Sequence, residues 1–425
     1  MKRFLNIPFI QSYFKDAGVL TIGNVIGMLI TLAGYPIITR LYTDVEFGEF
    51  SVYQSIFIIL ISISSLHYNK AIVLTKGRKE LNQLIRLILA LTLTFCVLLC
   101  ILNLFNIPQY FDLKLSTSIY WAIIIAVFLG TYHQMAHWFF IKKSQFKLIA
   151  ILKVTERLSF QATAIAYSFL QWRFLNPLVL AGISSQAPIF FISLAKTRFA
   201  WQSLFQLKAK AIAKKYKYFP MYSLPSGLVE RVSSQVPIFI ISILASQAAT
   251  GQFSLAYKIL SVPEAVIGVS IANIFYKKVG ELTSKNQPII QEIKNCWKLL
   301  ALIGFPVFTI CLFLGPFIFN ILFGNEWKTA GEITSIISPM LFFMFMSTPT
   351  SGAMAALNKQ YYGLIFGSLL LVTRTSLLYF GISYYDLTTG IYLLTIGEIL
   401  NILLYNYFLL KEAKKWERTH VQKSA

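Results

Sequence analysis

Long and nearly uninterrupted apolar runs follow one another along almost the whole chain, with short polar segments between them. A helix needs ~20 mostly apolar residues to cross the hydrocarbon core of a bilayer. The strands of a membrane barrel would instead alternate polar and apolar positions. The pattern therefore predicts an all-α, polytopic membrane protein with twelve spanning helices. The predicted spans are 17–39, 51–69, 84–105, 117–141, 148–170, 175–195, 220–243, 250–274, 297–320, 333–356, 362–384 and 388–410.

Composition excludes most other classes of protein. Of the 425 residues, 56% are apolar and 13% are charged, and the mean hydropathy is +0.64. Soluble domains carry about 25% charged residues, so a cytosolic enzyme, a disordered chain and a fibrous repeat are all excluded. The four cysteines lie in apolar runs and form no CxxC pair, so neither a disulfide framework nor a zinc site is predicted.

The distribution of basic residues predicts the orientation in the membrane. Lys and Arg total 38 against 17 Asp and Glu, for a net charge of +21. In a membrane protein this excess belongs in cytoplasmic loops and at lipid headgroups rather than on nucleic acid. Of these 38 residues, 31 are assigned to one side of the membrane, four to the other and three to the interior of spans. The 31 include Arg86, Lys153, Arg157 and Lys298, which lie inside spans near the ends on that side. Both termini are therefore predicted to be cytoplasmic.

A short internal repeat divides the chain into two halves. Gly48-Glu49-Phe50-Ser51 opens the second span, and Gly251-Gln252-Phe253-Ser254 opens the eighth, 203 residues later. Both copies run in the same orientation, which is typical of a parallel six-plus-six repeat. The predicted organisation is an N-terminal lobe at 1–200, a basic cytoplasmic linker at 201–219, a C-terminal lobe at 220–410 and a basic tail at 411–425.

Four short motifs occur in order along the chain. They are RLYTDVEFG at 40–48, GQFSLAY at 251–257, LFGNEWKTAG at 322–331 and ALNK at 356–359. With these motifs the chain resembles the O-antigen (Wzx-type) lipid-linked oligosaccharide flippases of the multidrug/oligosaccharidyl-lipid/polysaccharide exporter superfamily. The resemblance implies a V-shaped bundle of two six-helix lobes around a central cavity. It also implies the substrate, an undecaprenyl-pyrophosphate-linked oligosaccharide, but it carries no fixed catalytic residues.

Ionisable residues inside predicted spans are costly and are therefore candidate functional residues. Arg231 on span seven and Lys258 on span eight are predicted to bind the pyrophosphate. Lys258 lies on a face of small and polar residues, where helix packing with a snorkelling lysine is the alternative. Glu264, just after Pro263, and Glu230 are candidate carboxylates for coupling to H⁺ or Na⁺. A packing ion pair is the alternative for Glu230 and Arg231.

Further polar residues extend the candidate site. Asn24 and Thr31 share a face of span one and are predicted to contact sugar hydroxyls, with hydrogen bonding inside the core as the alternative. Lys153 and Arg157 are predicted to form a basic vestibule that receives the pyrophosphate, with headgroup contacts as the alternative. Arg374 and Glu398, near the middle of consecutive antiparallel spans, are predicted to form a structural ion pair.

Two common catalytic arrangements are missing from the sequence. His133 and His137 are four residues apart, but Gln134 stands where the HExxH motif needs a glutamate, so no metal site is predicted. No P-loop motif occurs, so ATP hydrolysis by that route is excluded and no cofactor is predicted.

The resulting hypothesis is a flippase and not an enzyme. It would move an O-antigen or capsule repeat unit from the cytoplasmic to the periplasmic leaflet of the bacterial inner membrane by alternating access. Expected partners are the lipid-linked oligosaccharide, membrane lipids and the polymerase and chain-length proteins of the same pathway. The alternatives are a cation-coupled small-molecule exporter of the same superfamily and a membrane polysaccharide polymerase or glycosyltransferase. The glycan and the coupling ion are left open.

Overall fold

The computed structural model describes residues 8–106, 115–169, 174–197 and 209–421, and within these ranges the chain is helical with no strand. The prediction of an all-α membrane protein is therefore confirmed. Residues 201–208 of the predicted linker and 422–425 of the predicted tail lie outside the described residues.

The chain divides into two compact units. The first unit consists of Met1–Tyr42 and Glu49–Arg231. Its helices begin with the long helix α1, and a short 3₁₀ helix, Tyr68–Leu74, separates α2 from α3. The helices are α1 (Pro8–Leu41), α2 (Asp44–Ser64, whose first turn belongs to the second unit), α3 (Arg78–Leu104), α4 (Thr117–Lys142), α5 (Phe146–Ser168), α6 (Pro177–Ser184), α7 (Gln186–Thr197) and α8 (Ala209–Lys215).

The second unit consists of Thr43–Gly48 and Val232–Ala425. The division at Arg231 falls inside the seventh predicted span, and the helix that carries the predicted basic tail continues to His420. The helices are α9 (Leu224–Leu244, whose first part belongs to the first unit), α10 (Gln247–Leu260), α11 (Val269–Ser284), α12 (Ile290–Phe323), α13 (Lys328–Ser347), α14 (Gly352–Ala356), α15 (Tyr361–Tyr384) and α16 (Leu387–His420).

Eleven helical segments within the described residues are long and apolar enough to cross a membrane. The predicted span at 148–170 is a helix, α5, but it is not one of these segments. The reason is its charge, since α5 contains Lys147, Lys153, Glu156 and Arg157. The count of twelve spanning helices therefore stays a prediction.

Wide π-helical turns next to prolines occur at two places, at the start of α9 and between α10 and α11. In the first, Phe219–Ser223, which contains Pro220, the N–H of Leu224 bonds to the carbonyl of Phe219. At Glu264–Gly268, after Pro263, the N–H of Val269 bonds to the carbonyl of Glu264. Proline has no N–H to donate, so the helix loses a bond and can widen at such points. Both breaks occur in the first two spans of the second predicted half.

Small residues allow neighbouring helices to approach closely. In the first unit, a Cβ atom built on Gly23 of α1 would lie 2.6 Å from the Cβ of Ala150 on α5. In the second unit, a Cβ on Gly315 of α12 would lie 2.6 Å from the carbonyl oxygen of Gly331 on α13. Contacts of this kind are typical of helix packing in membranes, where dispersion contacts rather than hydrophobic burial hold helices together.

Candidate functional site

A basic cluster in the first unit includes Arg231, at the end of that unit. Its Nη1 donates to the carbonyl oxygen of Ile58 at 3.4 Å. Lys70, on the 3₁₀ helix, lies within electrostatic range of Arg231 and donates from Nζ to Oγ of Ser223 at 3.4 Å. Burial and the Arg231 guanidinium lower the pKa of Lys70, and Glu230 opposes this shift. The cluster therefore holds two cations close together, with one exposed carboxylate nearby.

His67 fixes the position of this cluster. It adopts a left-handed conformation with φ of 59° just before the 3₁₀ helix and is buried. Its Nδ1 lies 3.0 Å from Oγ of Ser223 and its Nε2 lies 3.0 Å from Oγ of Ser62. Ser223 thus contacts both His67 and Lys70. Sequence reasoning missed these residues because His67 lies at the end of an apolar run and its partners are far away in the chain.

Four further predicted site residues lie where α1 packs against α5. Nζ of Lys153 donates to Oδ1 of Asn24 at 2.9 Å, so these two residues are brought together. Thr31 donates its hydroxyl to the carbonyl of Gly27 at 2.9 Å, within its own helix. The Cγ of Arg157 would lie 3.3 Å from a Cβ on Gly27. The hydroxyl of Thr31, which was predicted to contact sugar, therefore already donates a hydrogen bond within α1.

The two histidines of α4 face charged groups of α5. His133 is within electrostatic range of Glu156 and Lys153, and His137 is within range of Lys153 and His133. In the part of the chain that the structure describes, no three or more His, Cys, Asp or Glu residues come together as a metal site would require.

Lys258 packs against the ring of Phe47 in the second unit. Its Nζ lies 5.3 Å from the centroid of the Phe47 ring, a distance at which a cation is attracted to the ring face. The Phe47 ring in turn makes an edge contact with Trp327, with centroids 5.3 Å apart. Arg231 belongs to the first unit and Lys258 to the second, so a joint cation site stays a prediction.

A single buried amide joins three of the four sequence motifs. Gln252, which is 4% exposed, donates from Nε2 to Oδ2 of Asp44 at 3.1 Å and to the carbonyl of Glu326 at 2.8 Å. Its Oε1 accepts the N–H of Ala330 at 2.9 Å. The motifs at 40–48, 251–257 and 322–331 therefore meet in the second unit. Sequence reasoning identified the motifs but missed this role; the signal was a glutamine close to the start of an apolar run.

Arg374 and Glu398 lie in contact between α15 and α16. The Nε of Arg374 donates to Oε1 of Glu398, and the Glu398 side chain is 3% exposed. The Nη1 of Arg374 also donates to the carbonyl of Ser233 on α9 at 2.9 Å and to its Oγ at 3.4 Å. That carbonyl has no intrahelical partner of the usual kind, because its i+4 residue is Pro237. The arginine thus supplies the donor that the proline lacks.

Glu264 is the first residue of the wide turn between α10 and α11. Thr348 lies beside the Glu264 carboxyl group. The Cγ of Glu264 would lie 3.4 Å from a Cβ atom built on Gly268. Tyr257 is within electrostatic range of Glu264, Glu398 and Arg374. The second unit therefore holds two carboxylates, one arginine and one phenol in a single electrostatic neighbourhood.

Comparison with known proteins identifies the family. A family model described as polysaccharide biosynthesis protein matches residues 13–275. The teichuronic acid biosynthesis protein TuaB of Bacillus subtilis (strain 168) is 20% identical over 209 residues, which are 49% of this chain. The match spans 43% of TuaB, so the chain covers less than half the length of that relative.

Solved structures with the same fold are transporters. The lipid II flippase MurJ, in an inward closed conformation, superposes with a TM-score of 0.72 at 11% identity, over 96% of this chain and 91% of MurJ. An inward-facing multidrug resistance MATE family transporter of the MOP superfamily gives a TM-score of 0.69 at 13% identity, over 94% of this chain and 95% of that chain. The chain therefore belongs to the polysaccharide biosynthesis protein family and has the fold of the MOP-superfamily transporters.

Proposed function

We propose that the protein is a flippase for an undecaprenyl-pyrophosphate-linked oligosaccharide, such as an O-antigen or capsule repeat unit. It would carry this lipid from the cytoplasmic to the periplasmic leaflet of the bacterial inner membrane, with both of its termini in the cytoplasm. The observation that carries the proposal is the family match over residues 13–275. The polymerase and chain-length proteins of the pathway would then act on the translocated lipid.

The charges of the chain suit a pyrophosphate. We propose that Arg231 in the first unit and Lys258 in the second both bind the pyrophosphate during translocation. Arginine can hold phosphate oxygens with two parallel hydrogen bonds, whereas lysine acts as a movable point charge. In a cavity of low dielectric constant these attractions are several-fold stronger than in bulk water. The position of Lys70 beside Arg231 adds a third cation to this proposal.

The sugar portion requires polar groups inside the membrane. We propose that Asn24 exchanges its hydrogen bond with Lys153 for bonds to sugar hydroxyls, and that Thr31 does so after releasing its bond to Gly27. Lys153, once released, and Arg157 on the same helix would form the basic vestibule that receives the pyrophosphate.

Coupling to an ion is a separate part of the proposal. Glu264 lies at a point where the helix is already widened, so protonation or Na⁺ binding there can change a backbone that is not held by regular helical bonds. Glu230 is the second candidate carboxylate and is exposed.

A cation-coupled exporter of small molecules is the second candidate function, favoured by the fold shared with a MATE transporter. The two functions differ in substrate, so one reconstituted assay separates them. Proteoliposomes would contain the purified full chain and a fluorescent undecaprenyl-pyrophosphate oligosaccharide, and a membrane-impermeant quencher would measure movement between leaflets.

We expect wild-type protein to move the labelled lipid at a rate well above that of protein-free vesicles. The same vesicles loaded with a cationic dye should show no efflux in response to a proton or sodium gradient. Dye efflux without lipid movement would contradict the flippase and support the exporter. Elongation of the glycan without movement would instead indicate a polymerase.

A further inference from the structure

An open cavity of about 610 Å³ lies where the first turns of α12 pack near the last turns of α16. Its wall combines three basic residues with three aliphatic ones and a single carboxylate. The lining residues are Ile290, Lys294, Leu410, Lys414, Glu417, Arg418 and Val421.

The carboxylate in this wall is already engaged. Oε1 of Glu417 accepts the backbone N–H of Ile289 at 2.7 Å and that of Ile290 at 2.8 Å. These N–H groups stand at the start of α12, where a helix has donors without intrahelical partners and favours a negative charge. Glu417 therefore caps α12, whereas Lys294, Lys414 and Arg418 are exposed. The lining side chains carry a formal charge of +2.

The lengths of the two helices place the cavity near the membrane surface. Helices α12 and α16 have 34 residues each, which corresponds to about 51 Å at 1.5 Å per residue. The hydrocarbon core is only ~30 Å thick, so both helices extend beyond it. Their apolar portions begin at Leu299 in α12 and end at Leu410 in α16, so the cavity lies just outside the apolar portions, at headgroup depth.

We propose that this cavity binds the phosphate of an anionic phospholipid headgroup. Lys294, Lys414 and Arg418 would contact the phosphate oxygens, and the aliphatic residues would contact the glycerol and the upper part of an acyl chain. Free phosphate shares the charge but gains nothing from Ile290 and Leu410, and the depth of the cavity favours the lipid. The proposal concerns a site in the second unit alone and does not depend on the transported substrate.

The test uses the purified full chain in detergent, with phosphatidylglycerol and phosphatidylcholine as probes and native mass spectrometry as the readout. The triple variant Lys294→Gln, Lys414→Gln, Arg418→Gln removes three charges from the cavity. The control variant Arg78→Gln, Lys285→Gln, Lys415→Gln removes the same charge from exposed residues that do not line it. Since each of the three basic residues is expected to attract the headgroup phosphate, we expect the triple variant to weaken phosphatidylglycerol binding at least ~tenfold.

We expect the control variant to retain wild-type binding, and phosphatidylcholine to bind weakly to all three proteins. Equal phosphatidylglycerol binding by the triple variant and the wild type would overturn the proposal. Inorganic phosphate is tested as a separate ligand. Retention of inorganic phosphate by the protein, without retention of phosphatidylglycerol, would also overturn the proposal.

The Glu417→Gln variant changes the charge of the cavity lining in the opposite direction. Glutamine keeps an oxygen that can accept the N–H groups of Ile289 and Ile290, while the lining charge rises from +2 to +3. We expect this variant to bind phosphatidylglycerol several-fold more tightly. Unchanged or weaker binding by a folded Glu417→Gln protein would contradict the proposal, even if the triple variant failed to fold.

Discussion

Gly48 and Gly251 lie backbone to backbone, since a Cβ on Gly251 would be 3.0 Å from the amide nitrogen of Gly48. A Cβ on Gly251 would also overlap the carbonyl of Asp44, and one on Gly48 would overlap the carbonyl of Gln247. These are the corresponding glycines of the two repeat copies. The two copies of the repeat therefore contact each other through their glycines.

This contact predicts that Gly251→Ala destabilises the protein. Overpacking typically costs about 1–3 kcal/mol, and the overlapped atoms here belong to the backbone, which cannot rotate away. The melting temperature of the purified protein in detergent should fall, as should that of Gly48→Ala. The control is Gly280→Ala on α11, where an added Cβ has no described atom within 4 Å, and where a gain of up to ~1 kcal/mol is expected from helix propensity. Equal melting temperatures for Gly251→Ala and Gly280→Ala would disprove the close contact.

Gln252→Leu should destabilise the junction of the three motifs. It leaves the N–H of Ala330 and the carbonyl of Glu326 without the bonds that Gln252 gives them. Each buried polar group that loses its partner costs about 1–3 kcal/mol. The matched change Gln287→Leu, on an exposed residue, should have little effect. If thermal unfolding shows the same small shift for both variants, Gln252 does not hold the motifs together.

Removing one partner of the Arg374–Glu398 pair should lower the amount of folded protein in the membrane. A stranded buried charge typically costs about 3–5 kcal/mol, so Arg374→Met and Glu398→Gln should both reduce the yield of monodisperse protein. The exposed pair Lys277 and Glu281 is the control, where loss of one partner should cost ~0–1 kcal/mol. Exchanging Arg374 and Glu398 should restore stability only in part, because the arginine would leave its position beside Ser233. Normal yield from both single variants, with loss of transport, would assign the pair to the mechanism instead.

Lys258 and Arg231 should be required for transport but not for folding. Lys258→Gln and Arg231→Gln are each expected to reduce lipid movement in proteoliposomes at least ~tenfold, because a lost charge-assisted hydrogen bond costs about 1.5–3 kcal/mol. Lys258→Arg should retain more activity than Lys258→Gln, since the charge is what matters. The control is Lys285→Gln with Arg78→Gln, which removes two exposed charges. Wild-type lipid movement by a well-folded double variant Lys258→Gln, Arg231→Gln would rule out the cation site.

The orientation in the membrane can be tested by labelling. The test introduces single cysteines at Lys285 and Tyr385 in a chain whose four native cysteines are replaced. The predicted topology places Lys285 on the cytoplasmic side of the membrane and Tyr385 on the periplasmic side. An impermeant thiol reagent added to intact cells should label the cysteine at Tyr385 and not the one at Lys285. Labelling of both positions would contradict the predicted topology.

The helices could be predicted because each apolar run is longer than any turn and contains few charges. The same reasoning predicted a span at 148–170, but α5 carries Lys153, Glu156 and Arg157 and is not among the segments apolar enough to cross a membrane. Pro263 entered the sequence prediction only as the neighbour of Glu264, and a proline alone does not reveal that the helix forms a five-residue π turn there. That outcome depends on how the neighbouring helices pack.

The candidate site was predictable where the partners are on consecutive helices. Arg374 and Glu398 lie at similar depth on α15 and α16, and short connections bring such residues together. The contact of Arg374 with Ser233 joins positions 141 residues apart, and no local pattern specifies such a pair. For the same reason, Gln252 and the partners of His67 could be identified only in the folded chain.

The bond from Arg374 to the carbonyl of Ser233 has a consequence for sequence variation. A residue with an N–H at position 237 would supply that carbonyl with a donor from its own helix. The guanidinium would then lose one of its acceptors, and a shorter or uncharged side chain at 374 would become acceptable once Glu398 also became neutral. Among related chains, positions 237, 374 and 398 are therefore expected to be exchanged together, and a chain that keeps Pro237 should keep a hydrogen-bond donor that reaches Ser233.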